Sequence, residues 1–257
     1  MTSIASGADT WLRRYQEAPD SAIRLLCFPY AGGSASYYLP VAKALAPSVE
    51  VLAVQYPGRQ DRYREPCLDD LHELADAVVA AVRERAGIFD RPLALFGHSM
   101  GATLAYEVAL RLEERAGVTP AALFVSGRRA PSTRRDETVH QRDDEGVLRE
   151  LRRLNGTDGQ VFQNEELLRL AMPAIRGDYH AIETYRCVPG QRVGCPVTAL
   201  TGDADPRTTI DEVRAWQRHT SGAFEYQVFP GGHFYLNDQV PSVVKTVAER
   251  LRALPGA

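Results

Sequence analysis

Leu93-Ala94-Leu95-Phe96-Gly97-His98-Ser99-Met100-Gly101-Ala102-Thr103-Leu104-Ala105-Tyr106 decides how this chain of 257 residues is read. The opening run Leu93 to Phe96 is apolar and of strand type. From Met100 a helical pattern continues to Arg115. Between them stands G-x-S-x-G, a pattern that becomes chemically informative only in a strand–turn–helix setting. The turn must be sharp. Glycines two positions to either side of Ser99 let neighbouring backbone approach where a Cβ would clash. Ser99 is thereby lifted beyond the end of the strand. The free amides at the helix start face any negative charge that develops beside it.

Outward from this turn the chain alternates. Ile23 to Phe28, Val49 to Val54, Leu93 to Phe96, Ala121 to Val125, Val197 to Thr201 and Glu225 to Phe229 read as strands. Mostly continuous apolar runs point to strands buried on both faces. Leu68, Leu71, Leu74, Ala75, Val78, Val79 and Val82 form a helical stripe, with Asp69 and Asp70 in the first turn, where the helix dipole favours negative charge. Met100 to Arg115 and Pro241 to Leu254 are predicted helices too. This alternation predicts an α/β protein: a mostly parallel sheet, helices on both faces, and a site at the carboxyl ends of the strands. Only Arg128 to Pro189 lacks a strand. Leu148, Leu151 and Leu154 mark one amphipathic helix there. Leu167, Leu168, Leu170, Ala171 and Ile175 suggest a second, with Pro173 interrupting it. Residues 128–189 are therefore expected to form a helical cap inserted into a single domain over 1–257.

A serine hydroxyl needs a base to act near neutral pH. The chain has six histidines. His72 reads as a surface residue in the middle of an amphipathic helix, His140 and His180 fall in the cap, and His219 lies at a helix end. His98 adjoins the serine, but its side chain is expected to point elsewhere on the turn. His233, in Phe229-Pro230-Gly231-Gly232-His233-Phe234, follows the last strand and can swing over the sheet edge. The orienting carboxylate comes from Thr201-Gly202-Asp203-Ala204-Asp205-Pro206. Asp205 is preferred because it is further from the strand end. Asp203 is the alternative, with an Asx-turn as its structural role. The order Ser99, Asp, His233 is that of the α/β-hydrolase fold. Two amides are expected to hold the oxyanion: Met100, after the nucleophile, and Ala31, in the glycine-paired loop Phe28-Pro29-Tyr30-Ala31-Gly32-Gly33-Ser34.

Composition narrows the classes. Hydrophobic residues make up 44% and charged residues 25%, as in ordinary globular chains. A net charge of −3 does not favour a non-specific nucleic-acid binder. No apolar run reaches the ~18 residues of a membrane helix, and the first residues lack an apolar signal core. Of 30 basic residues only Lys43 and Lys245 are lysine, so 28 are arginine. Cys27, Cys67, Cys187 and Cys195 show no C-x-x-C spacing, so reduced thiols in a cytoplasmic protein without a structural zinc site are expected.

FPYAGGSASYY, VQYPGRQDR, LFGHSMGATLAYEVA, VSGRRAPS, TGDADP and VFPGGHFYL together resemble the type II thioesterases, α/β hydrolases that accompany modular polyketide and non-ribosomal peptide synthases. The resemblance runs from about Trp11 to the last helix. It implies a hydrolase that clears stalled or wrong acyl groups from the phosphopantetheine arm of carrier proteins. Carried across motif by motif, it also implies Ser99, Asp205 and His233 as the catalytic residues, backbone donors at Met100 and Ala31, and no cofactor. Acidic carrier domains are the implied partners of a monomer. Arg128, Arg129, Arg134 and Arg135, or else Arg149, Arg152 and Arg153, would border the pantetheine entrance and steer the carrier. The opposing expectation is a solvated cap surface offset by Asp143, Asp144 and Glu145. Arg59 and Arg62 read as structural ion-pair residues. A chain-releasing thioesterase, usually fused to a synthase, is one rival reading; this chain starts with its own methionine. A carboxylesterase or acyltransferase with the same triad is another, and a non-catalytic carrier-binding protein a third.

Overall fold

The computed structural model describes residues 7–154 and 165–254. Seven strands form one sheet: β1 (Leu12–Arg14), β2 (Ile23–Phe28), β3 (Val49–Val54), β4 (Leu93–His98), β5 (Leu123–Ser126), β6 (Val197–Gly202) and β7 (Phe224–Phe229). Their order is β1-β3-β2-β4-β5-β6-β7. Every pairing is parallel except that of β1 with β3. The helices are α1 (Gly7–Trp11), α2 (Leu39–Leu45), α3 (Leu71–Glu84), α4 (Met100–Ala116), α5 (Asp144–Leu154), α6 (Glu165–Thr184), α7 (Ile210–Arg214) and α8 (Leu236–Arg252). This is the α/β-hydrolase architecture. Strand alternation sorts the core into two layers. Leu26 and Phe28 pack with α3 and α4 on one face; Leu25 and Cys27 pack with α2 and α8 on the other.

Several boundaries differ from the sequence reading, each for a local reason. Helix α3 starts at Leu71 rather than Leu68, because Asp70 is its N-cap: the carboxylate accepts from the amides of His72 at 2.7 Å and Glu73 at 3.0 Å. His72 therefore sits in the first turn, not mid-helix. Pro173 lies inside α6, which continues through it to Thr184. Helix α8 begins at Leu236 and kinks at Gln239, just before Pro241. Strand β7 is an edge strand whose residues Glu225 to Val228 are exposed, not buried on both faces. The antiparallel β1 carries too few residues for a recognisable pattern. The four cysteines are free thiols. Among the described residues no helix is long and apolar enough to cross a membrane.

Between β5 and β6 the described residues form helices and turns and no named strand. Helices α5 and α6 pack through Val147, Leu151, Met172, Ile175 and Tyr179, and this small cluster rests on Ala31.

Candidate active site

Strand register brings the reactive loops together. Phe28 pairs with Gly97 and His98 with Ser126, so the loop after β2 runs beside Ser99. Gly202 pairs with Phe229, so segments 203–206 and 230–234 leave the sheet side by side. Ser99 has φ 55° and ψ −120°, a conformation that non-glycine residues seldom adopt. Its amide donates to Ser126 O at 2.8 Å, which helps hold the strain. A Cβ on Gly97 would stand 2.0 Å from the Gly101 carbonyl oxygen, and one on Gly101 2.1 Å from that of Phe28. The two glycines of G-x-S-x-G are thus steric requirements of the turn.

Ser99 Oγ lies 2.9 Å from His233 Nε2, and His233 Nδ1 lies 3.1 Å and 3.0 Å from the two carboxylate oxygens of Asp205. In that order the hydroxyl donates to Nε2 and Nδ1–H donates to the carboxylate. The Asp205 side chain is fully buried and His233 nearly so. Asp205 also accepts the Arg207 amide at 2.8 Å. Asp203 stands apart: it accepts the Gly231 amide at 2.9 Å and so shapes the loop that carries His233.

The loop after β2 is held from several sides. Gly33 N donates to Tyr30 O at 2.8 Å. Tyr56 Oη donates to Pro29 O at 3.0 Å, and Gln55 Oε1 accepts the Ala35 amide at 2.9 Å. Asp178, on α6, accepts the Gly32 amide at 2.7 Å and a two-pronged pair from Arg59 at 2.5 and 2.8 Å. Arg59 also donates to Gly33 O at 3.1 Å. Ala31 and Met100 line the cavity at Ser99 and His233.

His98 points away from Ser99, as the sequence reading expects, and Ser126 takes its Nδ1. Strand β4 runs on through it, which tucks the ring beneath the His233 loop. The two rings are 5.2 Å apart, and His98 Nδ1 lies 2.9 Å from Ser126 Oγ. Burial first, and the neighbouring His233 second, push its pKa well below the ordinary value. It is an uncharged platform under the base. The other histidines lie away from Ser99. His72 Nε2 is 3.2 Å from Arg186 O, His140 Nδ1 is 2.6 Å from Glu183, His180 Nδ1 is 2.9 Å from Asp69 O, and His219 Nε2 is 2.8 Å from Ser132 Oγ.

Residues 23–251 match the thioesterase domain family. This chain belongs to the thioesterase family. The thioesterase is 53% identical to Thioesterase PikA5 of Streptomyces venezuelae over 247 residues, covering 96% of this chain and 87% of that protein. It is 50% identical over 260 residues to the probable cadicidin biosynthesis thioesterase of Streptomyces griseus, covering all of this chain and 71% of the relative. Among solved structures, the type II thioesterase BorB from the borrelidin biosynthetic cluster is 52% identical, with a TM-score of 0.88 over 96% of this chain and all of that one.

The cavity of the thioesterase has a volume of about 30 Å³, room for a water or so and not for an acyl chain. Leu151, Leu154, Tyr179 and Ile182 face Ser99 and His233 across it, with Arg128 and Arg207 beside them. Behind that wall runs an ionic network. Glu137 takes Arg129 and Arg207; Glu150 takes Arg153 at 3.2 Å, and Arg207 approaches it at 2.7 Å without hydrogen-bond alignment. Burial would raise the Glu137 carboxyl, but the Arg129 hydrogen bond and the nearby arginines hold it down at about 2. The first basic cluster is therefore not a uniform exposed patch. Arg129 is buried on Glu137, and Arg135 pairs with Glu212 at 2.5 Å. In the second cluster Arg149 lies 3.6 Å from Glu145. Arg59 and Arg62 are both ion-paired, the latter with Glu65 at 2.5 Å, but Arg59 also braces the loop of Ala31.

Proposed function

We propose that this thioesterase hydrolyses short acyl groups from the phosphopantetheine arm of carrier proteins, clearing stalled or aberrant chains during polyketide or non-ribosomal peptide assembly. The observation that carries this reading is the chain Ser99–His233–Asp205 at a cavity that Ala31 and Met100 also line. His233 takes the Ser99 proton as the hydroxyl attacks the thioester carbonyl. Asp205 stabilises the imidazolium and fixes its tautomer. The amides of Met100 and Ala31 hold the oxyanion. The tetrahedral intermediate collapses, the carbon–sulfur bond breaks, and the pantetheine thiol leaves with the proton that His233 returns. Water, deprotonated by the same imidazole, then releases the acyl group as a carboxylic acid and restores Ser99. Apart from substrate and water, every group this cycle uses belongs to the chain, and no cofactor takes part in it.

The cavity volume of about 30 Å³ holds neither a finished polyketide or peptide nor a short acyl group. Even a short acyl group requires the cap to move, so the described helices of segment 128–189, α5 and α6, act as a lid. The enzyme works as a cytoplasmic monomer on this reading. The test is hydrolysis of a propionyl group from a phosphopantetheinylated carrier protein by the native enzyme and by Ser99→Ala. Turnover by the native enzyme alone is the expected result. A carrier left acylated by both would contradict the reading, and oxygen esters turned over faster than thioesters would make the enzyme an esterase.

A further inference from the structure

A second recess adjoins the catalytic cavity and shares Arg128, Ile182 and Glu183 with it. Arginines dominate its lining: Arg128 and Arg129 towards the cavity, and the exposed Arg134, Arg135 and Arg186 at the rim. The one carboxylate in its lining, Glu183, attracts Arg128 but spends its hydrogen bonds elsewhere. Glu183 already accepts from the amides of Val139 and His140 at 3.0 and 2.9 Å, and from the His140 ring at 2.6 Å.

Arg129 and Arg135 have carboxylate partners in Glu137 and Glu212. The remaining three cations do not. Arg186 Nη1 donates only to the backbone carbonyls of Glu183 and Tyr185. The Arg128 carbonyl oxygen accepts the Trp216 indole N–H at 2.8 Å, but the side chains of Arg128 and Arg134 make no hydrogen bond or ion pair with a described residue. Burial first, and repulsion from Arg129 second, lower the Arg128 pKa to about 9. A guanidinium in that position is charged at neutral pH and incompletely compensated, which raises the free energy of the empty recess. A bound anion would relieve it, and forked guanidinium donors suit the oxygens of a phosphate.

The recess adjoins the cavity that Ser99 lines, so a molecule placed at the nucleophile can extend into it. We propose that this recess is an anion subsite of the active site, and that Arg128, Arg134 and Arg186 receive the phosphodiester of the arm that carries the acyl group. The assignment rests on the carrier-arm reading above and adds the direction of entry. The thioester lies at Ser99, and the arm leaves past Arg128 towards the arginine rim.

The test compares propionyl-phosphopantetheine with propionyl-pantetheine, free of any carrier, on the native enzyme and on the double variant Arg134→Gln, Arg186→Gln. Charge-assisted hydrogen bonds to two exposed guanidiniums predict a KM lower by about tenfold for the phosphorylated thioester. In the double variant the two KM values should converge. Equal KM values in the native enzyme, or a preference that survives the double substitution, would overturn the proposal while leaving thioester hydrolysis intact. Malonyl-pantetheine supplies the other arm of the test. A malonyl-over-propionyl preference that the double variant loses would place an acyl carboxylate in the recess and overturn the phosphate assignment. If the native enzyme cleaves none of these thioesters, the carrier-arm reading fails and this subsite fails with it.

Discussion

Ser99, His233 and Asp205 hang from the ends of strands packed in an apolar sheet, whereas the wall that faces them, on α5 and α6, is tied down largely by arginine–carboxylate pairs. Around Ser99 the constraints are steric and short in range: two glycines with no room for a Cβ, and a register that puts Phe28 beside Gly97. Across the cavity, Asp178 reaches Arg59 over 119 residues of chain, and Glu137 gathers Arg129 and Arg207. The two kinds of contact respond differently to opening. Apolar surface that separates meets water at a cost of roughly 25 cal/mol per Å². A charged pair that separates into water regains hydration, so its net cost of opening is smaller. The wall that must hold the nucleophile is therefore built from packing, and the wall that must let substrate in sets ion pairs around a small apolar cluster.

The largest effect should fall on the strand-end wall. Asp205→Asn leaves His233 without its carboxylate and should lower kcat on a propionyl thioester by about 10⁴-fold, whereas Asp203→Asn should change it by no more than about tenfold. Equal losses in the two variants would mean that the geometry at His233 does not separate the two aspartates. On the cap wall, Asp178→Asn leaves Arg59 buried beside an uncharged partner and loosens the loop of Ala31. Stability should fall by about 3–5 kcal/mol in chemical denaturation. In the same variant kcat should fall by about 10²-fold through the displaced amide donor. Lost stability with kcat unchanged would show that the cap contact braces the fold without positioning the oxyanion loop.

The strand-end wall was also the legible one. Gly97 and Gly101 flank Ser99 where β4 turns into α4, Asp205 and His233 lie on loops after β6 and β7, and their order along the chain mirrors the order of the strand ends. Local pattern therefore carried most of the site. Strand β4 runs two residues past the apolar run that ends at Phe96, because Gly97 and His98 carry no strand pattern of their own, and this extension buries the His98 ring. Helix α3 was begun early because Leu68 matched the apolar stripe, although the Asp70 cap sets the start. Asp178, Glu137 and Arg207 carried no readable signal. Asp178 and Arg207 have partners distant in sequence, and an isolated charge on a helix or loop looks like any solvated residue. The arginine cluster at 128–135 was visible as composition, but which members are paired is decided only by tertiary contacts.

The smallest expected effect is in acid, and it separates two groups near the cap. His219 is held down at about 4, by burial first and by Arg218 and Arg192 after it. The native state therefore resists a proton that the unfolded chain accepts below about 6.5. The associated stability is present above that value and is lost as pH falls towards 4. Glu137, held at about 2, contributes stability above its usual carboxylate range, which is lost as pH falls from about 4.5 towards 2. Melting curves against pH should thus show two acid losses, with His219→Gln flattening the upper one and Glu137→Gln the lower. A single loss unaffected by either substitution would contradict this division.

The central claim is that Ser99 carries the acyl group between the two halves of the reaction, and a trapped intermediate tests it most directly. Native enzyme is mixed with excess propionyl-pantetheine, quenched in acid within the first turnovers, and digested for mass spectrometry. The account predicts a propionyl adduct on Ser99, and no adduct and no turnover in Ser99→Ala. An adduct on another residue, or turnover that persists in Ser99→Ala, would contradict it.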